Sequence, residues 1–229
     1  MKILVTAATT LEIQPFVQYL DQHRPAFAAA NCEIDILIAG IGMMHTAFSL
    51  GRNLDTHQPD IAIQAGIGGT FRQQWELGSV VLIRQEYLGD LGAEDNDQFK
   101  DLFDIQLWQP SQYPFTGNSL VNTFSGLPWL PPLQQATGVS VNLVSGSEAT
   151  IRKLESKYAP DIESMEGAAF HYACLLERVP FLQLRSISNY VEIRDKSKWQ
   201  IPLAVKNLNE EVINTVEKLA GLPSLTLKF

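Results

Sequence analysis

The sequence predicts an α/β fold of three layers, in which helices flank a largely buried sheet. Short segments rich in β-branched residues recur along the chain, as is typical of buried strands, and they read KILVTAA, EIDILIAG, DIAIQAG, SVVLIRQE, VNLVSG and FLQLRSIS. Segments with helical periodicity lie between several of them, at residues 11–22, 43–56, 165–178 and 202–220. Such alternation of strands and helices indicates a layered α/β protein.

The helices and loops can be placed from their end signals. Pro202 stands near the start of the last helix and Gly221 just past its end, as helix ends favour. Ser164 is a possible N-cap for the helix before it, which would put Glu166 in the first turn. Residues 107–133 are rich in proline and lack periodicity, so we expect an irregular excursion with a functional or interfacial role. We expect one domain over residues 1–229.

Composition and charge narrow the functional classes. The formal net charge of −8 argues against a nucleic-acid partner, which requires a basic surface. No apolar run approaches the roughly 18 residues that cross a bilayer, and the N-terminus lacks the apolar region of a signal peptide. Cys32 and Cys174 have no paired spacing and are interpreted as buried, reduced thiols. We therefore expect a cytoplasmic protein with no membrane partner.

Polar and glycine-rich segments follow the predicted strands, where ligands collect in an open α/β sheet. Glu12 follows the first predicted strand, and the segment AGIG follows the second. The segment QAGIGG, which contains Gly66, Ile67 and Gly68, ends the third. Each glycine turn is either a tight turn only or a close approach of backbone to a ligand. The dinucleotide and P-loop fingerprints, the serine-hydrolase elbow and zinc-binding spacings are absent from the sequence. The motifs thus favour neither a cofactor nor a metal.

Glu166 and Asn189 can each be interpreted in two ways. An acid at position 166 would stabilise a helix N-terminus through its dipole, whether or not it binds a ligand. The apolar run LQLRSIS ends at Asn189, which is either a turn cap or a ligand contact. A charged loop with Arg194 and Asp195 follows it.

Several motifs taken together resemble one known family. VTAATTLEIQPF, AGIG, QAGIGGTF, SMEGAAF and LRSISN occur in the order seen in the nucleoside phosphorylase/hydrolase superfamily, from residue 1 to about residue 218. The similarity is to its nucleosidase branch, typified by methylthioadenosine/S-adenosylhomocysteine nucleosidases. Within that branch, ISNYVEIRDKSKW looks most like the futalosine hydrolases of menaquinone biosynthesis. The resemblance implies a mixed sheet of the phosphorylase/hydrolase kind, activity without metal or organic cofactor, and a homo-oligomer, dimeric or higher.

The resemblance also implies roles for individual residues. Glu12 matches the base that activates water, and Glu166, beside Met165, matches the carboxylate that binds the ribose hydroxyls. The backbone of Gly66, Ile67 and Gly68 would contact the purine. These roles make the expected ligand a purine nucleoside.

Asn189 stands where adenine-releasing relatives have an aspartate. An amide donates a hydrogen bond without a charge, whereas an ionised carboxylate repels an exocyclic carbonyl, so Asn189 favours a 6-oxopurine such as hypoxanthine. Arg194 and Trp199 are candidates for the carboxyphenyl tail of futalosine, with Asp195 holding the arginine. Three alternatives stay open: another purine nucleosidase acting on methylthioadenosine or inosine-like substrates, a phosphorylase, and a nucleoside-binding protein without turnover.

Overall fold

The structure is a computed structural model that describes residues 1–96, 98–124 and 133–221. Its strands, in chain order, are β1 (Lys2–Ala7), β2 (Glu33–Ile38), β3 (Ile61–Thr70), β4 (Val80–Leu88), β5 (Gly92–Asp95), β6 (Gln98–Asp101), β7 (Leu120–Val121), β8 (Gln134–Ser140), β9 (Ile162–Ser164) and β10 (Phe181–Tyr190). Its helices are α1 (Thr10–Ala29), α2 (Met43–His57), α3 (Glu148–Tyr158), α4 (Gly167–Glu177) and α5 (Ile201–Ala220), with a 3₁₀ turn at Lys196–Lys198.

One mixed sheet organises the molecule, as predicted. β3 runs parallel to β1 along its first half and parallel to β10 along nearly all its length. From β10 the sheet continues through β4, β8 and β9, and β9 pairs antiparallel with the end of β3. The five strands β3, β10, β4, β8 and β9 therefore form a closed ring, while β1 and β2 extend the sheet from β3. The carboxyl ends of β1, β3 and β10 meet at one edge.

Alternation along β1 shows how the helices cover both faces. Ile3 and Val5 pack into a core with α1 and α5, whereas Leu4 packs against α2 and α4 on the opposite face. This follows from the two-residue period of a strand, which sends successive side chains to opposite sides. The predicted three-layer α/β fold is confirmed.

Two predicted features require correction, and one helix was missed. The segment VNLVSG, residues 141–146, is a loop, because the strand is the preceding β8. Helix α3 was not predicted. Ser164 ends β9, and the N-cap of α4 is Glu166.

The predicted ends of the last helix and the predicted state of the cysteines are confirmed. Pro202 lies in the first turn of α5 and Gly221 is its C-cap. Both cysteines are buried and free. The described part of the irregular segment, residues 107–124, holds only β7, and its residues 125–132 lie outside the described residues. Among the described helices, none combines the length and apolarity that crossing a bilayer requires.

Candidate active site

A cavity of about 240 Å³ lies at the edge where β1, β3 and β10 end. Larger surface depressions of about 550 and 370 Å³ occur elsewhere, but neither contains a predicted site residue. The cavity brings together most of the residues predicted for the site, namely Glu12, Ile67, Gly68, Met165, Glu166, Asn189 and Trp199. Gly66 and Arg194 lie outside its lining.

Glu12 is fixed between α1 and β3. Its Oε2 accepts hydrogen bonds from the backbone N–H of Thr9 at 3.0 Å and from the Thr9 hydroxyl at 2.9 Å. Its Oε1 accepts from the N–H of Ile67 at 3.2 Å. The glutamate in the first turn of α1 is thus held at the N-terminus of that helix, as in a capping box. It is buried but lines the cavity, so it is oriented before any ligand arrives.

Glu166 is held from the opposite side of the cavity. Its Oε1 accepts from the N–H of Gly42, the N-cap of α2, at 3.0 Å. Its Oε2 lies 3.8 Å from Nη2 of Arg185. Burial raises the pKa of Glu166, an effect that the Arg185 charge and the Gly42 N–H oppose and that Glu12 reinforces.

Arg185 is a site residue that motif reading included but gave no role. It is 1% exposed in the middle of β10, and its Nη2 donates to Oε1 of Gln64 at 2.9 Å. A Cβ on Gly66 would lie 1.8 Å from Arg185 Nη1, so glycine at 66 makes room for the guanidinium. The sequence signal was an arginine inside an apolar strand, because such a charge requires a buried partner.

Asn189 reaches the cavity because β10 contains a β-bulge. Ile187 pairs with Gly68 and Asn189 with Gly69, so Ser188 is the extra residue. The Ser188 hydroxyl lies 2.8 Å from Asn189 Oδ1, and Asn189 Nδ2 donates to the carbonyl of Tyr190 at 2.9 Å. One amide N–H of Asn189 is left to donate to a ligand.

Trp199 and Arg194 contact each other beside the cavity. The guanidinium carbon of Arg194 lies 5.8 Å from the centre of the Trp199 ring, a cation–π arrangement. Asp195 does not hold this arginine as expected. Its carboxylate instead accepts from the N–H of Ser197 at 3.0 Å and caps the 3₁₀ turn, which places Trp199 at its C-terminal end.

Comparison with known proteins identifies the family. The profile of the phosphorylase superfamily matches residues 2–221. The chain belongs to the phosphorylase superfamily. Within this superfamily it is 30% identical to a futalosine hydrolase of Streptomyces coelicolor, covering 78% of this chain and 76% of the relative. It is 26% identical to a methylthioadenosine/S-adenosylhomocysteine nucleosidase of Maridesulfovibrio salexigens, covering 83% and 87%.

A solved superfamily structure shares the fold. The native structure of futalosine hydrolase of Helicobacter pylori superposes with a TM-score of 0.77 over 95% of this chain and 98% of its own. The two sequences are only 17% identical, so the likeness concerns the fold. The phosphorylase-superfamily fold is thus present with Glu12 and Glu166 among the carboxylates that line one cavity. In the described part of the chain, no group of three or more His, Cys, Asp or Glu residues could hold a metal ion.

Proposed function

We propose that this protein is an N-ribosyl hydrolase that cleaves the N-glycosidic bond of futalosine and releases hypoxanthine. The observation that carries the proposal is the convergence of Glu12, Glu166 and Asn189 on one cavity. The similarity to a futalosine hydrolase of Streptomyces coelicolor supports the choice of substrate. Hypoxanthine release from futalosine would place the enzyme in menaquinone biosynthesis.

The three residues divide the chemistry. Cleavage of an N-glycosidic bond passes through an oxocarbenium-like sugar, which water attacks from the face opposite the base. Glu12 orients this water and accepts its proton through Oε1, because Ile67 occupies only one lone pair of that oxygen, whereas the two Thr9 donors occupy both lone pairs of Oε2. Glu166 accepts hydrogen bonds from the ribose hydroxyls, with Met165 beside the sugar. Asn189 donates to the departing 6-oxopurine.

Water rather than phosphate is the proposed nucleophile. Glu12 would repel a phosphate that approached the sugar, whereas it activates a neutral water molecule. The nearest buried cation, Arg185, already faces Glu166 and Gln64. A phosphorylase is therefore disfavoured.

A methylthioadenosine/S-adenosylhomocysteine nucleosidase is the second candidate. The similarity to the Maridesulfovibrio salexigens enzyme favours it. Its adenine product carries an amino group where hypoxanthine carries a carbonyl oxygen. Asn189 is the residue that separates the two candidates.

The substrate tail and the assembly complete the proposal. Trp199 forms a wall of the cavity, and Arg194 on its ring is the proposed partner of the tail carboxylate. We propose that the chain forms a single domain. We also propose that it assembles as a homo-oligomer, because Met44 and Phe48, one turn apart on α2, expose 75% and 66% of their surface. The predicted cytoplasmic location stays a prediction.

The test is base release, measured by chromatography. Futalosine, methylthioadenosine and inosine are each offered with and without phosphate. We expect phosphate-independent hypoxanthine release, fastest from futalosine. Adenine release from methylthioadenosine as the fastest reaction would instead establish the second candidate.

A variant tests the role of Glu12. Glu12→Gln should lower kcat by a factor of 10² or more, as loss of a general base does, while futalosine still binds. Glu33→Gln, an exposed glutamate on β2, is the matched control and should retain full activity. Equal rates for the Glu12 variant and the wild type would refute its role as the base.

A further inference from the structure

A third buried carboxylate lines the cavity and has no role in the mechanism above. Glu163, the middle residue of β9, is 5% exposed and is one of the residues that surround the cavity. Its Oε1 accepts from the N–H of Ser145 at 3.0 Å, and its Oε2 accepts from the Ser145 hydroxyl at 2.5 Å. Each carboxylate oxygen can accept two hydrogen bonds and here accepts one, so both keep capacity for a ligand.

Glu163 and Asn189 lie on either side of one glycine. Gly69 of β3 pairs with Glu163 of β9 on one side and with Asn189 of β10 on the other. Because neighbouring strands are about 4.8 Å apart, the two residues flank Gly69 at a Cα separation of roughly 10 Å. A Cβ on Gly69 would lie 2.9 Å from Asn189 Nδ2, so glycine keeps the space between them open. A flat base fits between two polar groups in this arrangement.

The chemistry of a 6-oxopurine suits these two groups. Its five-membered ring presents N7, with the carbonyl O6 beside it, and both accept hydrogen bonds. N1, on the other side of the carbonyl, carries a proton and donates. In adenine N1 has a lone pair and no proton, so a carboxylate would repel it.

We infer that Glu163 is a specificity-determining residue whose carboxylate accepts the N1–H of a 6-oxopurine base. The inference rests on the proposed nucleosidase function and adds a second polar contact to the one assigned to Asn189. Ser145 positions the carboxylate through its two donors. Asn189 then donates to the N7 and O6 side of the base, and Glu163 accepts from N1–H on the other side of the carbonyl.

The competing explanation is that Glu163 only anchors the loop of residues 141–147 through Ser145. Both explanations predict that removing the carboxylate has an effect, so the measurement must compare bases. In Glu163→Gln the oxygen can keep the Ser145 N–H bond, and the amide nitrogen then donates to the Ser145 hydroxyl and toward N1. The variant should therefore favour adenine and disfavour hypoxanthine.

The experiment measures kcat/KM for inosine and adenosine, and the Kd of free hypoxanthine and adenine by calorimetry. For Glu163→Gln, the hypoxanthine-to-adenine preference should fall by a factor of ten or more in both measurements, since one mispaired buried group has an effect of this size. Ser145→Ala keeps the carboxylate and weakens the anchor. It should change both bases equally.

The outcomes separate the two explanations. An unchanged preference in Glu163→Gln, or the same loss of preference in Ser145→Ala, would overturn the inference. A wild-type protein that hydrolyses no purine nucleoside would refute the proposed function instead. In that case the affinities for the free bases still decide the role of Glu163, and melting temperatures verify that both variants fold.

Discussion

Asn189 owes its position to a single extra residue in β10. Without Ser188, the strand would continue in register with β3, and the residue at 189 would point to the other face of the sheet. The bulge also brings the Ser188 hydroxyl to 2.8 Å from Asn189 Oδ1. Since that hydroxyl can donate to Oδ1, the Asn189 NH₂ group is directed elsewhere, in part toward the cavity.

Replacing this amide by a carboxylate should reverse the preference for the base. In Asn189→Asp, the side chain must carry a proton to donate, and its ionised form repels O6 of hypoxanthine. We expect kcat/KM for futalosine to fall tens- to hundredfold, corresponding to about 1–3 kcal/mol, while methylthioadenosine is affected less or gains. Steady-state kinetics on both substrates measures this.

The matched control is Asn118→Asp, which introduces the same charge at an exposed position outside the cavity lining. It should leave both rates unchanged. A proportional loss on both substrates in Asn189→Asp would mean that the residue supports the fold rather than selects the base.

The residues found from the sequence share one property. Glu12 lies in the first turn of the helix that follows β1, and Asn189 lies at the end of β10, so the ends of these two patterned strands located them. Glu163 was missed because β9 has only three residues, too few to show a period. Arg185 had no assigned role because its partners, Gln64 and Glu166, are distant in sequence and only the folded sheet brings them together.

At the scale of elements, α4 begins on a buried polar cluster. Glu86 of β4 accepts from Gln183 Nε2 at 2.7 Å and from the Ser140 hydroxyl at 3.0 Å. The Ser140 oxygen accepts from the N–H of Ala168 in the first turn of α4 at 2.7 Å. A Cβ on Gly167 would lie 1.9 Å from Glu86 Oε1, so the helix start fits closely over this carboxylate. Its position supports the neighbouring Glu166.

The pairing of the short strand β9 explains why the start of α4 was misplaced. A serine followed by a glutamate suggested a helix N-cap at Ser164, which is the local preference. Pairing of β9 with β3 and β8 instead extends the strand through Ser164, and the helix starts after Glu166. Contacts that are distant in sequence therefore override the local signal.

Glu86 should make stability depend on pH. Burial raises the pKa of Glu86 from 4.5 to about 7, although hydrogen bonds from Gln183 and Ser140 and the Arg185 charge oppose this. The unfolded chain releases this proton near pH 4.5, whereas the folded protein keeps it to about pH 7. The stabilisation is therefore complete below pH 4.5 and is lost as the pH rises through 7, by about 3 kcal/mol in total.

The isosteric Glu86→Gln variant should remove this dependence, because its amide does not titrate, its oxygen can keep the hydrogen bond from Gln183, and its nitrogen can donate to the Ser140 oxygen. Urea unfolding of both proteins at pH 5, 6, 7 and 8 should show the variant gaining stability relative to wild type as the pH rises. Burial lowers the pKa of His171 to about 3, so the contribution of His171 to stability rises with pH up to about 6.5. This contribution is the same in both proteins. Glu177→Gln at the exposed end of α4 is the control, and parallel curves for Glu86→Gln would contradict the prediction.

For the whole molecule, the topology explains how a site forms from distant residues. β3 pairs with β1, β9 and β10, so the residues that end or follow these strands share one edge of the sheet. This is why strand ends in the sequence predicted a common site. The closure of β3, β10, β4, β8 and β9 into a ring was not predictable, because it depends on the short β9 and on the bulge in β10.

The exposed apolar face of α2 leads to a prediction for the whole assembly. Met44 and Phe48 lie one turn apart on this helix, and Ile41, just before it, lines the cavity and is 55% exposed. Adjacent exposed apolar side chains of this size are typical of an interface, since burying them contributes favourable free energy. A second copy on this face would cover the cavity mouth as well.

The double variant Met44→Lys/Phe48→Glu should therefore be monomeric where the wild type is oligomeric, as measured by light scattering after size-exclusion chromatography. Its KM for futalosine should rise, because Ile41 and the substrate tail would lose their cover. Leu91→Glu, at a 44% exposed leucine away from α2, should keep the wild-type mass and kinetics. An unchanged mass in the double variant would exclude this face as the interface, and a monomer with unchanged KM would show that the partner contributes nothing to the site.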